Sequence, residues 1–159
     1  MSETHVVPLS VADAPAAVAL WHQAGLTRPW NDATADFVRA ATGPSSAVLG
    51  VWANGALVGT AMVGHDGHRG WVYYLAVADA ARGAGLGRDL MAAAEAWLVT
   101  RDVPKIQFMV RTDNSAVLAF YDHLGYGLQD VVVLGRRLDS HVDRTIAARV
   151  QTARKINDP

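Results

Sequence analysis

The sequence predicts one mixed α/β domain built on a mostly antiparallel central sheet with flanking helices. Its 159 residues match the usual size of a single domain and suffice to bury most of the chain's surface. Apolar periodicity alternates between strand-like and helix-like stretches along the chain. Three strand-like runs between residues 47 and 77 follow one another through short turns, the spacing of an antiparallel meander.

Residues 5–9 read as a short opening strand. Ser10 offers an N-cap for a helix through Ala24, with Val11, Pro15, Val18 and Trp21 or His22 at roughly helical spacing and Gly25 as the stop. A polar, aromatic loop, Thr27-Arg28-Pro29-Trp30-Asn31-Asp32, precedes a second helix over 34–41, which Gly43-Pro44-Ser45-Ser46 breaks. Residues 47–52 and 57–64 flank Asn54-Gly55 and read as a hairpin, and Asp66-Gly67-His68-Arg69-Gly70 turns the chain into a strand over 71–77. The strongest helix covers 84–101, where Leu86, Leu90, Ala94, Trp97 and Leu98 form one stripe opposite Arg88, Asp89 and Glu95. Beyond Val103-Pro104, residues 105–111 read as a strand and Thr112-Asp113-Asn114 caps a helix through Leu124, stopped by Gly125. Residues 131–134 and 136–138 supply a last strand. The folded domain is expected over 1–138, with 139–159 as a helical extension whose Val142, Ile146 and Val150 stripe suits packing or a homodimer.

Composition removes several classes of function. Half of the residues are apolar (51%) and 18% are charged, yet no run approaches the length of a membrane span. Met1-Ser2-Glu3-Thr4-His5 lacks the basic and apolar segments of a secretory signal, so a cytoplasmic protein is expected. The absence of cysteine excludes disulfides, thiolate nucleophiles and Cys-ligated metals. A formal charge of -1 with dispersed arginines argues against nucleic acid as a partner. His65, Asp66 and His68 offer too few ligands for a closed zinc site, so no metal is expected.

The chemically informative segment is Arg82-Gly83-Ala84-Gly85-Leu86-Gly87. Glycines at alternate positions between a strand and a helix let the backbone approach a ligand without Cβ obstruction. The first-turn N–H groups then favour a phosphate. A P-loop is excluded because the only lysines are Lys105 and Lys155, and a dinucleotide fingerprint fails because Gly87 falls one place early. By spacing alone, a tight turn explains the glycines equally well.

Two ordered signatures break that tie. Arg82-x-x-Gly85-x-Gly87, preceded by Tyr74-Leu75-Ala76-Val77 and followed by an amphipathic helix, closely resembles the coenzyme A signature of GNAT (Gcn5-related) N-acetyltransferases. The segment from Asn114 to Tyr126, with Phe120-Tyr121 and Gly125-Tyr126, resembles the family's second signature. Further likeness to the small bacterial YpeA-type branch extends over about residues 6–138.

The resemblance implies a sheet whose strands over 71–77 and 105–111 splay apart to admit acetyl-CoA, a β-bulge being the physical device for the splay. Leu75, Ala76 and Val77 would border the pantetheine arm, with the Leu75 backbone N–H facing the thioester oxygen. Arg82, Gly83, Ala84, Gly85, Leu86, Gly87 and Arg88 would hold the pyrophosphate. Tyr121 matches the family's proton donor to the departing thiolate, and Asn114 is both a helix cap and a contact to the cofactor arm. Trp71 stands where some members carry a glutamate base, which leaves Asp66, His68 or a tyrosine at 73 or 74 to relay a proton. Trp30, Asn31, Asp32 and Tyr73 are the expected acceptor-binding residues. The implied activity is acetyl transfer from acetyl-CoA to a primary amine of a small molecule or protein. A non-catalytic acyl-CoA-binding module is the competing reading.

Overall fold

The computed structural model describes residues 5–139, so the expected C-terminal helix lies outside the described residues. These fall into two units, one ending at Leu124 and one beginning at Gly125. The first unit carries a five-stranded sheet in sequential order. Its strands are β1 (Val6–Pro8), β2 (Ser46–Ala53), β3 (Ala56–His65), β4 (Gly70–Val77) and β5 (Ile106–Gln107). All neighbours pair antiparallel except β4 and β5, which are parallel.

Local chemistry explains most of the elements. Asp13 accepts the backbone N–H of Ser10 at 2.7 Å, closing a 3-10 turn ahead of α1 (Ala14–Gln23). Gly25, at φ 71, ends that segment in the left-handed conformation. Asp32 caps α2 (Ala33–Thr42) by accepting the Ala35 N–H at 2.9 Å. Asn54 and Gly55, at φ 51 and 77, make the tight β2–β3 turn. Among the described residues the longest helix is α3 (Leu86–Val99), and Asn114 caps α4 (Ser115–His123) by accepting the Val117 N–H at 3.3 Å.

Helices cover both faces of the sheet. One face buries Trp21 and Phe37 of α1 and α2 with Leu9, Val48, Leu57 and Ala76. The other carries α3 so closely that a Cβ on Gly70 would stand 2.3 Å from Leu98, and one on Gly59 3.0 Å from Leu90.

Two expected strands fail. The one over 105–111 contracts to Ile106–Gln107, because Phe108 leaves the ladder and packs on Tyr121 with ring centroids 4.2 Å apart. No strand forms over 131–138, where Val131, Val132, Val133 and Leu134 are exposed. Strand propensity reports fit to a half-buried pleated surface, and this apolar run has no such burial to exploit.

Candidate active site

The glycine loop joins β4 to α3. Gly83 and Gly85 adopt φ 81 and 80, and a Cβ at Gly83 would meet nothing within 4 Å. Side chains other than glycine rarely reach this left-handed backbone, so the loop's course depends on these two residues. Gly85 is the N-cap of α3, and helix geometry leaves the first-turn N–H groups of Leu86, Gly87 and Arg88 outside the intrahelical ladder. Arg82 and Arg88 are exposed beside this end, held by Asp79 at 3.1 Å and Asp89 at 3.6 Å. The cradle therefore combines open backbone, a helix N-terminus and two guanidinium groups, which fits a pyrophosphate. Gly87 also has a packing role besides the expected ligand contact. It lies within α3, where a Cβ would come 3.0 Å from Phe120, so it lets α4 approach.

The strand before the loop is irregular at the expected place. Thr60 pairs with Ala76 and Met62 with Tyr73, so Ala61 alone stands opposite both Tyr74 and Leu75. That extra residue is a β-bulge. Its first member, Tyr74, has φ 50, which costs a bulky residue about 1–2 kcal/mol. The bulge also exchanges faces. Gly70 lies against α3, and alternation would send Tyr74 and Ala76 there too, yet both pack on the α1–α2 side.

Four contacts hold the bulge. The Trp21 Nε1–H donates to Thr60 Oγ1 at 2.8 Å, and the Thr60 hydroxyl donates to the Tyr74 carbonyl at 3.1 Å. The Tyr74 ring stacks on Trp21 at 3.9 Å, and its hydroxyl donates to Asp36 Oδ2 at 2.8 Å. Burial and this hydrogen bond to a carboxylate push the Tyr74 hydroxyl up to about 12.

Past its first two residues, β4 leaves β5. Pairing is confined to Gly70 with Ile106 and Trp71 with Gln107, while β4 continues to Val77. The edge carrying Leu75, Ala76 and Val77 is thus open towards β5, the geometry needed to receive an extended amide chain as an added strand. Tyr121 sits on α4 beside Phe108 and Phe120, and it is 8% exposed. Burial raises its hydroxyl to about 12, so it remains a proton donor throughout the neutral range.

A groove of about 820 Å³ lies on the α1–α2 side of the sheet, lined in part by Asn31, Asp36, Arg39, Asp66, Trp71, Tyr73 and Tyr74. It brings together Asn31, Asp66 and Tyr73 from the expected set. Trp30, Asp32 and His68 are not among its lining residues; Trp30 is 61% exposed, and Asp32 is engaged as the α2 cap. Asp66 Oδ1 accepts the backbone N–H groups of His68 and Arg69 at 2.8 and 2.7 Å. These bonds hold its carboxyl below the usual range, which weakens it as a base. Burial raises the Tyr73 hydroxyl, so it too holds its proton tightly. Asp36 and Arg39, joined at 2.8 Å, were invisible as site residues because nothing local marks a helix charge pair as lining a groove.

Comparison with known proteins agrees with this geometry. The family model described as "Acetyltransferase (GNAT) family" matches residues 15–126. An acetyltransferase of Yersinia pestis (strain Pestoides F) is 42% identical over 121 residues, covering 76% of this chain and 86% of that protein. One from Pectobacterium atrosepticum is 42% identical over 126 residues, covering 79% and 89%. Among solved structures, AAC(6')-Iy in complex with a bisubstrate analogue of coenzyme A superposes with a TM-score of 0.74 at 16% identity, covering 86% of this chain and 99% of that one. With that family model matching most of the chain and relatives 42% identical, the chain belongs to the GNAT family of acetyl-CoA-dependent N-acetyltransferases.

Proposed function

We propose that this chain transfers the acetyl group of acetyl-CoA to a primary amine by direct attack, on a small molecule or a protein, with the amine entering by the groove of Asp36 and Tyr73. The observation that carries the reading is the β4 bulge. It falls at Tyr74 and Leu75, on the stretch of β4 beyond its pairing with β5 and ahead of the glycine loop.

In this reading the neutral amine nitrogen bonds to the acetyl carbon, and the Leu75 N–H stabilises the oxyanion that develops. The carbon–sulfur bond then breaks, Tyr121 gives its proton to the departing sulfur, and the nitrogen releases its own proton into the groove. Two carboxylates, Asp36 and Asp66, face one guanidinium, Arg39, among the lining residues, a balance that attracts a cationic amine. Trp71 and Tyr73 add aromatic faces suited to the same charge. Leu75, Ala76 and Val77 border the pantetheine arm, Asn114 lies at the start of the Tyr121 helix, and residues 82–88 take the pyrophosphate.

The test is free-thiol release from acetyl-CoA over a panel of amines and peptides, with acetyl-CoA binding followed by calorimetry. Saturable binding and at least one amine-dependent turnover are expected, with both lost in Gly85→Val. Unchanged binding by that variant would overturn the donor-site assignment, and binding without turnover for any amine would favour a regulatory module.

A further inference from the structure

A peptide unit is planar and trans, so its C=O and N–H point in opposite directions. The peptide linking Tyr74 to Leu75 has its carbonyl end drawn towards β3 by the Thr60 hydroxyl at 3.1 Å. Its other end, the Leu75 N–H, therefore points away from β3, to the side on which β5 has departed.

We propose that Thr60 is a positioning residue for acetyl transfer: its hydroxyl, set by Trp21, fixes the Tyr74–Leu75 peptide and so aims the Leu75 N–H at the acetyl oxygen. The inference rests on the donor role proposed above for Leu75. Thr60 and Trp21 are both 0% exposed, so neither touches a substrate, and their effect passes through the peptide. Thr60 is also the buried polar residue amid an otherwise apolar set of described core side chains. Its hydroxyl is spent in both directions, accepting from Trp21 at 2.8 Å and donating to the bulge. Valine in its place would keep the shape and β-propensity while releasing the peptide. Tyr74 is then tethered only through its ring, by the Trp21 stack and the Asp36 hydrogen bond, which constrain the side chain more than the peptide plane.

The experiment is difference infrared spectroscopy of acetyl-CoA labelled with ¹³C at the acetyl carbonyl, bound to the full chain. An aimed N–H lowers the carbonyl stretching frequency on binding. The shift is expected in wild type and Thr60→Ser, and lost in Thr60→Val at undiminished acetyl-CoA affinity, since the glycine loop is untouched. An undiminished shift in folded Thr60→Val overturns the inference. So does a wild-type band that stays at its solution frequency with binding intact. If Thr60→Val does not fold, Tyr74→Phe, which removes only the Asp36 tether, is read instead: a shift kept close to the wild-type value supports hydroxyl control, and its complete loss assigns control to Asp36. Failure of wild type to bind acetyl-CoA at all sinks the donor-site reading, and this inference with it.

Discussion

Tyr121 illustrates how environment converts an ordinary side chain into a proton reservoir. Its packing against Phe108 and Phe120 removes water that would stabilise a phenolate, which raises the hydroxyl to about 12. Tyr121→Phe should keep acetyl-CoA affinity and lower kcat by roughly 10²-fold or more, read by thiol release. The same burial has a consequence for stability. A phenol whose folded pKa lies above its unfolded value of about 10 contributes stability that is complete below pH 10. That contribution is lost as pH rises towards about 12, where Tyr74 and Tyr121 ionise even in the folded chain. Tyrosinate absorbance against pH should show at least these two of the four tyrosines titrating late, and the steepest loss of stability should coincide with that window. Three or more of the four phenols titrating near pH 10 in the folded chain would contradict this.

Individual elements were legible in the sequence wherever the signal is local. Asn54-Gly55 announces its hairpin because both residues tolerate positive φ, and of the α3 stripe Leu86, Leu90, Ala94 and Leu98 are buried as the spacing requires while Trp97 is half-buried. What escaped depends on distant partners. The shortness of β5 follows from Phe108 choosing the Tyr121 ring, and the exposed run at 131–134 carries a strand signal without a surface to pack on. Asp32 marks the same boundary at a single residue. Its place in an acceptor loop suggested amine binding, while its carboxylate caps α2. Asp32→Ala should cost about 1 kcal/mol of stability, and Asp32→Asn, which keeps an accepting oxygen, should cost little. Thermal denaturation distinguishes the two, and equal losses would refute the capping role.

For the molecule as a whole, the donor half of the site was written in contiguous sequence and the acceptor half was not. In the proposed reading residues 82–88 hold the donor through their own backbone, so spacing reveals them. Asp36 reaches Tyr74 across 38 positions, and Trp21 reaches Thr60 across 39, separations that no local pattern encodes. Ligand binding to a folded site stabilises the whole chain by mass action. Acetyl-CoA at about 100 times its dissociation constant should add about 2.7 kcal/mol, raising Tm by several degrees for a chain of this size. Differential scanning fluorimetry should record that rise in wild type and its absence in Gly85→Val.

The bulge in β4 means that the proposed mechanism depends on a count as well as on residue types. Trp71 and Tyr73 reach the groove in one alternation frame, and Tyr74 reaches it in the other. Deleting one residue between 73 and 75 would restore regular pairing with β3, leave Ala76 opposite Thr60 on its present face, and erase the bulged peptide that the proposed mechanism sets against the acetyl group. Length variation, usually harmless in surface turns, is therefore more damaging here than most replacements of a side chain, and lineages that keep the chemistry must keep the number.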